Sequence, residues 1–358
     1  MKSTWSKSMA EYRHRTWRLL FGRCVVAKGK TKVDIPKSVQ KRNESDSGVY
    51  EVSSDTGFAN IEFDLRKDNS KEPNKGYVVV YNLSDDTVNY LDAHQADAVA
   101  VLLEAGYDDD NQVIFSGTVE FVEDKWDGPT RKTKLIFGDG TENIIKCQTT
   151  RSYAKGTPMD TVLNDLLNDM NLPRGRVVKF GNQTLQYSMA FSGNTAENLR
   201  KFARLTNSNF SVQDGAVYWT KTGKRFKDSV FEISSETGMH GSPTPKNPEP
   251  AKKRKAKSAA KDGKEGKSPI TDEQAGVTGK KKKGKKKNPK EDVGLTVTTT
   301  LNGAIIPEST IYLKSRRYTG FYKVITVHHK GNLESGSWET ELGLGECYAG
   351  VVDDGKEE

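Results

Sequence analysis

Along the first third of the chain, apolar residues recur at every second position. Ile61, Phe63 and Leu65 alternate with Glu62, Asp64 and Arg66. Successive side chains of a strand point to opposite faces, so this spacing predicts a half-buried strand. A polar stretch from Lys67 to Lys75 follows, and then Tyr77-Val78-Val79-Val80-Tyr81, a continuous β-branched and aromatic run between Gly76 and Asn82. Its shortness favours a strand over a helix, and its lack of alternation predicts burial on both faces. Ser84-Asp85-Asp86-Thr87 reads as a turn into a short helical or irregular piece around Tyr90 to Asp97. Val99 to Leu103 is a further apolar run, closed by Ala105-Gly106-Tyr107 and the loop Asp108-Asp109-Asp110. Val113 to Val122 alternates around Gly117, and Thr133 to Phe137 stops at Gly138-Asp139-Gly140, a hairpin signal with Ile144 to Thr149 as the return strand. Strands of this length between tight turns predict an antiparallel barrel or sandwich.

From Thr157 the period changes to that of a helix. Thr157 stands at an N-cap position, Pro158 at the first helical position and Asp160 at the third, where an acid complements the helix dipole. Val162, Leu166 and Met170, with Leu163 and Leu167 beside them, form one apolar stripe that Leu172-Pro173 ends. A second helix is predicted from Asn194, with Glu197 at its third position and Leu199, Phe202 and Ala203 on its inner side. After it, Phe210 and Val212 face Val217 and Trp219 across the turn Asp214-Gly215. Two helices and a hairpin make a compact α+β module. Strand patterns resume at Leu295 to Thr298, Ile311 to Leu313, Tyr322 to Val327 and Trp338 to Leu344.

Charge separates one segment from all of this. Between Pro243 and Asp292 the chain has 17 Lys plus Arg against 7 Asp plus Glu, a surplus of ten, whereas the whole chain carries +8, leaving −2 for the rest. The sequence pI of 9.1 therefore describes this insert and not the folded body. Almost no apolar residue lies in it, so burial cannot offset ordering entropy and a disordered loop is expected. The domains expected are 1–150, a first β-barrel; 151–235, the α+β module; 243–292, the lysine-rich insert; and 293–358, a C-terminal β domain to which 223–242 contributes. Candidate polyanion contacts are Lys252, Lys253, Arg254, Lys255 and Lys257, then Lys280, Lys281, Lys282, Lys283, Lys285, Lys286 and Lys287. Lysines are flexible point charges, so contact with DNA or an anionic membrane would be electrostatic and unspecific.

Candidate chemistry changes the picture little. Cys24, Cys147 and Cys347 lie far apart with no CxxC pair, which implies neither a disulfide framework nor a zinc site. His328 and His329 are adjacent on a predicted strand and point apart, a poor arrangement for one metal. The loop Asp108-Asp109-Asp110 lacks the spaced ligands and glycine of a calcium loop. No P-loop or GxSxG elbow is present, and the expectation is a protein that is not an enzyme and carries no cofactor. No apolar run approaches the roughly 20 residues that span a bilayer, and the N-terminus lacks the apolar core of a signal peptide.

One ordered set of motifs is more specific. Gly76 to Thr87 (GYVVVYNLSDDT), Val99 to Tyr107 (VAVLLEAGY) and Ile114 to Val119 (IFSGTV) follow one another. Gly128-Pro129, the Gly138-Asp139-Gly140 turn, Gly156-Thr157-Pro158, and Gly320 to His328 (GFYKVITVH) with Trp338 and Thr340 come after them in order. This succession resembles the tail hub proteins of long-tailed bacteriophages. The resemblance implies a mainly β chain with two tail-tube-like antiparallel β-barrels and a small helix-containing domain, assembled as a homotrimer whose barrels imitate a six-membered ring. It implies a structural role in the virion tail or baseplate after assembly in the host cytoplasm. The implied partners are a tail tube or distal tail protein, a spike or tip protein and the tape measure protein. A polyanion-binding protein working through the insert is the alternative from another class, and a tail-associated hydrolase is a third reading.

Overall fold

The computed structural model describes residues 14–23, 49–54, 60–69, 73–94, 99–108, 110–226, 230–246, 293–334, 336–346 and 351–352. The candidate polyanion contacts from Lys252 to Lys287, together with Asp109, Cys24 and Cys347, lie outside the described residues. The chain begins with β1 (Arg15–Arg23), β2 (Val49–Ser53), β3 (Ile61–Asp68), β4 (Lys75–Tyr81), α1 (Asp85–Ala93), β5 (Val99–Tyr107), β6 (Asp110–Asp127) and β7 (Thr130–Gly138). It continues with α2 (Thr141–Lys146), β8 (Gln148–Tyr153), α3 (Met159–Met170), β9 (Arg174–Val177), β10 (Met189–Asn194), α4 (Thr195–Thr206), β11 (Ser208–Gln213) and β12 (Ala216–Lys221). The last part holds β13 (Arg225–Phe226), β14 (Val230–Ser234), β15 (Met239–Pro245), β16 (Leu295–Thr300), β17 (Thr310–Lys314), β18 (Thr319–Asn332), β19 (Trp338–Glu346) and β20 (Val351–Val352).

Among the described residues thirteen strands join in one sheet, whose main path is β15-β16-β19-β18-β3-β4-β7-β6-β5-β1-β2, with β17 beside β18 and β14 beside β17. The long strand β18 connects the early and late β regions. Its residues Thr326 to Asn332 pair with Asp68 to Glu62 of β3, while Thr319 to Lys323 pair with β17. Among the described strands the ladder does not close on itself, but the sheet curls. The Trp338 indole donates to Gly106 O at 2.9 Å and the Tyr107 hydroxyl donates to Trp338 O at 2.9 Å, which brings the start of β19 against the end of β5.

Among the described residues three apolar cores result. Trp17, Phe21, Phe63, Phe115 and Phe137 fill the first, with Leu83 just before α1 and Val88 and Leu91 within it along one side and Trp338 from β19 entering it. The α+β module packs α3 and α4 around Phe180, Phe191, Phe202 and Trp219, whose ring centroids lie 5.6 to 6.2 Å apart. Ile311, Leu313, Val324, Val327, Leu342 and Leu344 make the third. The mainly β architecture with a helix-containing module is thus present.

Local readings hold where capping and period agree. Asn194 caps α4 by accepting from the Glu197 N–H at 3.0 Å, and Phe210 pairs with Trp219 and Val212 with Val217 as expected. Others are corrected. Ile144 to Thr149 is not a return strand: Gly140, at φ 64°, starts α2, and β8 begins only at Gln148. The cause is Asp139, whose side chain is buried in contacts of its own instead of forming a hairpin turn. The helical piece is Asp85–Ala93, earlier than Tyr90 to Asp97, because Ser84 caps it by accepting from the Thr87 N–H. Pro158, not Thr157, occupies the cap position of α3; the Thr157 hydroxyl donates to Ala154 O instead. Nor is the run Tyr77 to Tyr81 buried on both faces. Val78 and Val80 are fully buried, but Tyr77, Val79 and Tyr81 lie half-buried on the outer face, where the Lys134 ammonium sits 4.2 Å from the Tyr77 ring centre. Consequently Val80→Asp is expected to abolish cooperative unfolding, since an unpaired buried charge costs several kcal/mol. Val79→Asp should stay within about 1 kcal/mol of the parent in a urea titration.

Candidate functional site: a charged seam beneath the helical module

The hairpin of β11 and β12 turns at Asp214 and Gly215, whose φ of 51° and 76° are the two positive angles that a two-residue turn needs. One face of the hairpin feeds the module core. Polar residues on its other face and tip meet the large sheet. Lys67 Nζ lies 2.6 Å from both carboxylate oxygens of Asp214, and Asp214 Oδ1 also accepts from the Ser116 N–H at 3.1 Å. Asp139 accepts from the backbone N–H of Asp214 and of Gly215, each at 2.7 Å, and from Asn74 Nδ2 at 3.2 Å. Gln213 Nε2 donates to Asp68 O at 2.7 Å.

At the hairpin's other end a second carboxylate is held. Glu308 accepts from Asn69 Nδ2 at 2.7 Å, from Asn209 Nδ2 at 3.4 Å and from the Thr220 hydroxyl, and Lys323 Nζ stands 2.5 Å away. Glu308 adopts φ 77°, a left-handed conformation that costs a non-glycine residue about 1 kcal/mol or more. Its carboxylate thereby joins the first β region through Asn69, the module through Asn209 and Thr220, and the last β region through Lys323.

Burial sets the electrostatics of the seam. Lys67 and Asp139 are both fully buried. Burial and then the Asp214 charge push the Asp139 carboxyl up to about 6, against the opposing pull of the Gly215 amide, Lys67 and Asn74. His329, also fully buried, is held well below the usual imidazole range by burial and by the nearby Lys67 charge, and its Nδ1 lies 2.9 Å from the Thr340 hydroxyl. His328 points to the opposite face, with Nε2 2.8 Å from Asp64 Oδ1. The two histidines therefore serve different faces of β18.

Asp108, from the acidic loop, accepts from the His14 N–H at 3.0 Å and ties the end of β5 to the entry of β1. Among the described residues, no group of three or more His, Cys, Asp or Glu is placed to hold a metal ion. Sequence reasoning missed the seam, although one signal was there. Lys67 continues the inward register of Ile61, Phe63 and Leu65, where period two demands an apolar residue. Glu308 and Asp139 carry no such signal.

A carboxyl whose folded value is raised stabilises the fold fully below its unfolded value, and that contribution is lost as pH rises through the folded value. For Asp139 the window runs from 3.8 to about 6. Asp139→Asn should remove it, so the stability difference between parent and variant is expected to change by about 2 kcal/mol between pH 4 and 7 in urea titrations. A difference independent of pH would contradict this reading of the seam.

No family model matches the chain, and no curated protein matches it in sequence. Solved structures do. The 43 kDa tail protein of prophage MuSo2 from Shewanella oneidensis aligns over 81% of this chain and 99% of its own, with a TM-score of 0.51 and 7% identity. A lidded PdpA-VgrG complex from Francisella aligns over 94% of this chain and 53% of that chain, with a TM-score of 0.50 and 8% identity. A tail protein from Neisseria meningitidis MC58 aligns over 80% and 96%, with a TM-score of 0.49 and 12% identity. The continuous sheet and the module beneath it thus share the fold of the MuSo2 tail protein.

Proposed function

We propose that the chain is a structural hub of a phage tail, closing the distal end of the tail tube and joining it to a tip or spike. In this reading three copies form a ring of six tube-like β units. The observation that carries it is the single sheet running through both β regions, with β2 and β15 at the two ends of its main path. An unpaired strand edge invites further pairing, and ring closure between identical copies satisfies it without open-ended growth. The likeness to the MuSo2 tail protein along nearly that protein's whole length supports the tail setting. The buried seam groups act by orienting the module, and no chemical step is assigned to the chain. Its partners would be tube or distal tail, spike or tip, and tape measure proteins, met in the host cytoplasm and retained in the virion. Light scattering at micromolar concentration should give three times 39.8 kDa, with rings in negative stain. A monomer with no ring in the assembled tail would sink this reading.

The lysine-rich insert has its own place. It connects β15 and β16, antiparallel neighbours whose ends are bonded where it leaves and returns, Lys246 N–H donating to Gly294 O at 3.0 Å. Removing a connection between two ends already side by side costs little closure entropy. Deleting 247–290 is therefore expected to leave oligomer mass and melting unchanged while weakening binding to DNA or anionic liposomes at low salt. Equal binding by the deletion variant would reduce the insert to a spacer.

A further inference from the structure

Lys314 ends β17, and the turn from it to β18 carries Ser315, Arg316, Arg317 and Tyr318. Lys314, Arg316 and Arg317 are exposed, and none of the three has an acidic partner among the described residues. The turn itself is built tightly. Ser315 N–H donates to Tyr318 O at 3.0 Å, the Ser315 hydroxyl donates to the same oxygen at 2.8 Å, and the Thr319 hydroxyl donates to Ser315 O at 3.1 Å. Three cations are thus presented on a backbone whose conformation is set before any ligand arrives, which lowers the entropic cost of binding.

Aromatic rings continue the same face. Tyr312 and Phe321 are paired across β17 and β18 with centroids 5.0 Å apart, and Phe321 is 42% exposed. On that face Lys323, two residues on, is already buried against Glu308. Phe321 is therefore exposed two residues before the buried Lys323–Glu308 pair, with the half-buried Tyr312 ring beside it. The acids nearest in register are Glu232, level with Tyr312, and Glu346, level with Tyr322.

We propose that this tip is a nucleic-acid contact site, with Lys314, Arg316 and Arg317 binding phosphates and Tyr312 and Phe321 offering a surface on which bases stack. Two adjacent arginines supply planar donor forks that match phosphate oxygens, which lysine cannot do. Aromatic faces beside a cationic track are the arrangement that holds single strands without reading their sequence. A membrane surface fits less well, because the tip is a narrow turn with no apolar helix face to sink below the headgroups. The site consists entirely of described residues, uses none of the lysines of the insert, and goes beyond the hub reading. Lys246 and Gly294, which flank that insert and are bonded to each other, lie at the same end of the sheet, since Gly294 N–H donates to Leu344 O and Leu344 pairs with Val324.

The test uses the full-length protein and fluorescence anisotropy with labelled oligonucleotides of about 30 nucleotides, single-stranded and duplex, in about 50 to 200 mM NaCl. Arg316→Gln with Arg317→Gln is expected to weaken binding about tenfold or more at low salt and to reduce the duplex salt slope by about two. Phe321→Ser should weaken the single strand about tenfold and leave the duplex nearly unchanged. Photocrosslinking to a thymine-rich strand should label the peptide spanning residues 312–322. Unchanged affinity and slope in the double arginine variant overturn the proposal, as does binding that this variant loses only toward anionic phosphatidylglycerol vesicles. Melting curves verify that each variant is folded. Oligomer mass is measured separately, so failure of the trimer and failure of this site are distinguishable.

Discussion

A strand has only two edges, and β18 must satisfy three neighbours with them. One edge is taken along most of its length by β19; the other is divided between β17 at its start and β3 at its end. The register against β19 shifts between Val324 and Thr326, and an extra residue of this kind bends and twists a strand. Near its far end Gly331 lies against Phe63. A Cβ there would come within 2.1 Å of the ring, so any larger residue would push Phe63 away from its edge-on contact with Trp338. Through this one strand the sheet passes from the early half of the chain to the late half.

The helical module is attached by different physics. Its own core is apolar, but where it meets the sheet the contact is a line of carboxylates, amides and lysines from Glu308 to Asp139, to which the module gives Asn209, Gln213, Asp214 and Thr220 and the β regions give the rest. A buried ion pair adds little net stability relative to well-packed apolar residues, because desolvation offsets the attraction, whereas loss of one partner leaves an uncompensated charge. Such a seam specifies position more than affinity. Its donors and acceptors can be satisfied in one orientation of the hairpin, and that orientation places the module against both β regions at once.

How much of this could be read without the fold depends on the range of the interaction. The alternation of Ile61, Phe63 and Leu65, the stripe of α3, the Asn194 cap and the Asp214-Gly215 turn follow from local periods and local hydrogen bonds, and the structure contains them all. The Tyr77 to Tyr81 run was misread because three valines between tyrosines conceal an alternation that only the neighbouring strands reveal. The segment from Ile144 was misread because Gly138-Asp139-Gly140 carries the composition of a hairpin turn, while the Asp139 side chain is drawn away by amides 75 and 76 residues further on.

By itself the sequence determined the kind and order of those elements whose period and caps agree, and the segregation of positive charge into one connection, because these depend on residues within a few positions of one another. Tertiary structure decided which strands share a sheet and what the buried charges meet. His328 reaches Asp64 across 264 residues, and Glu308 gathers Asn69 from the first β region and Asn209 and Thr220 from the module. No local period encodes such pairings, since hydrogen-bond geometry and burial choose them only after the chain has brought distant strands together.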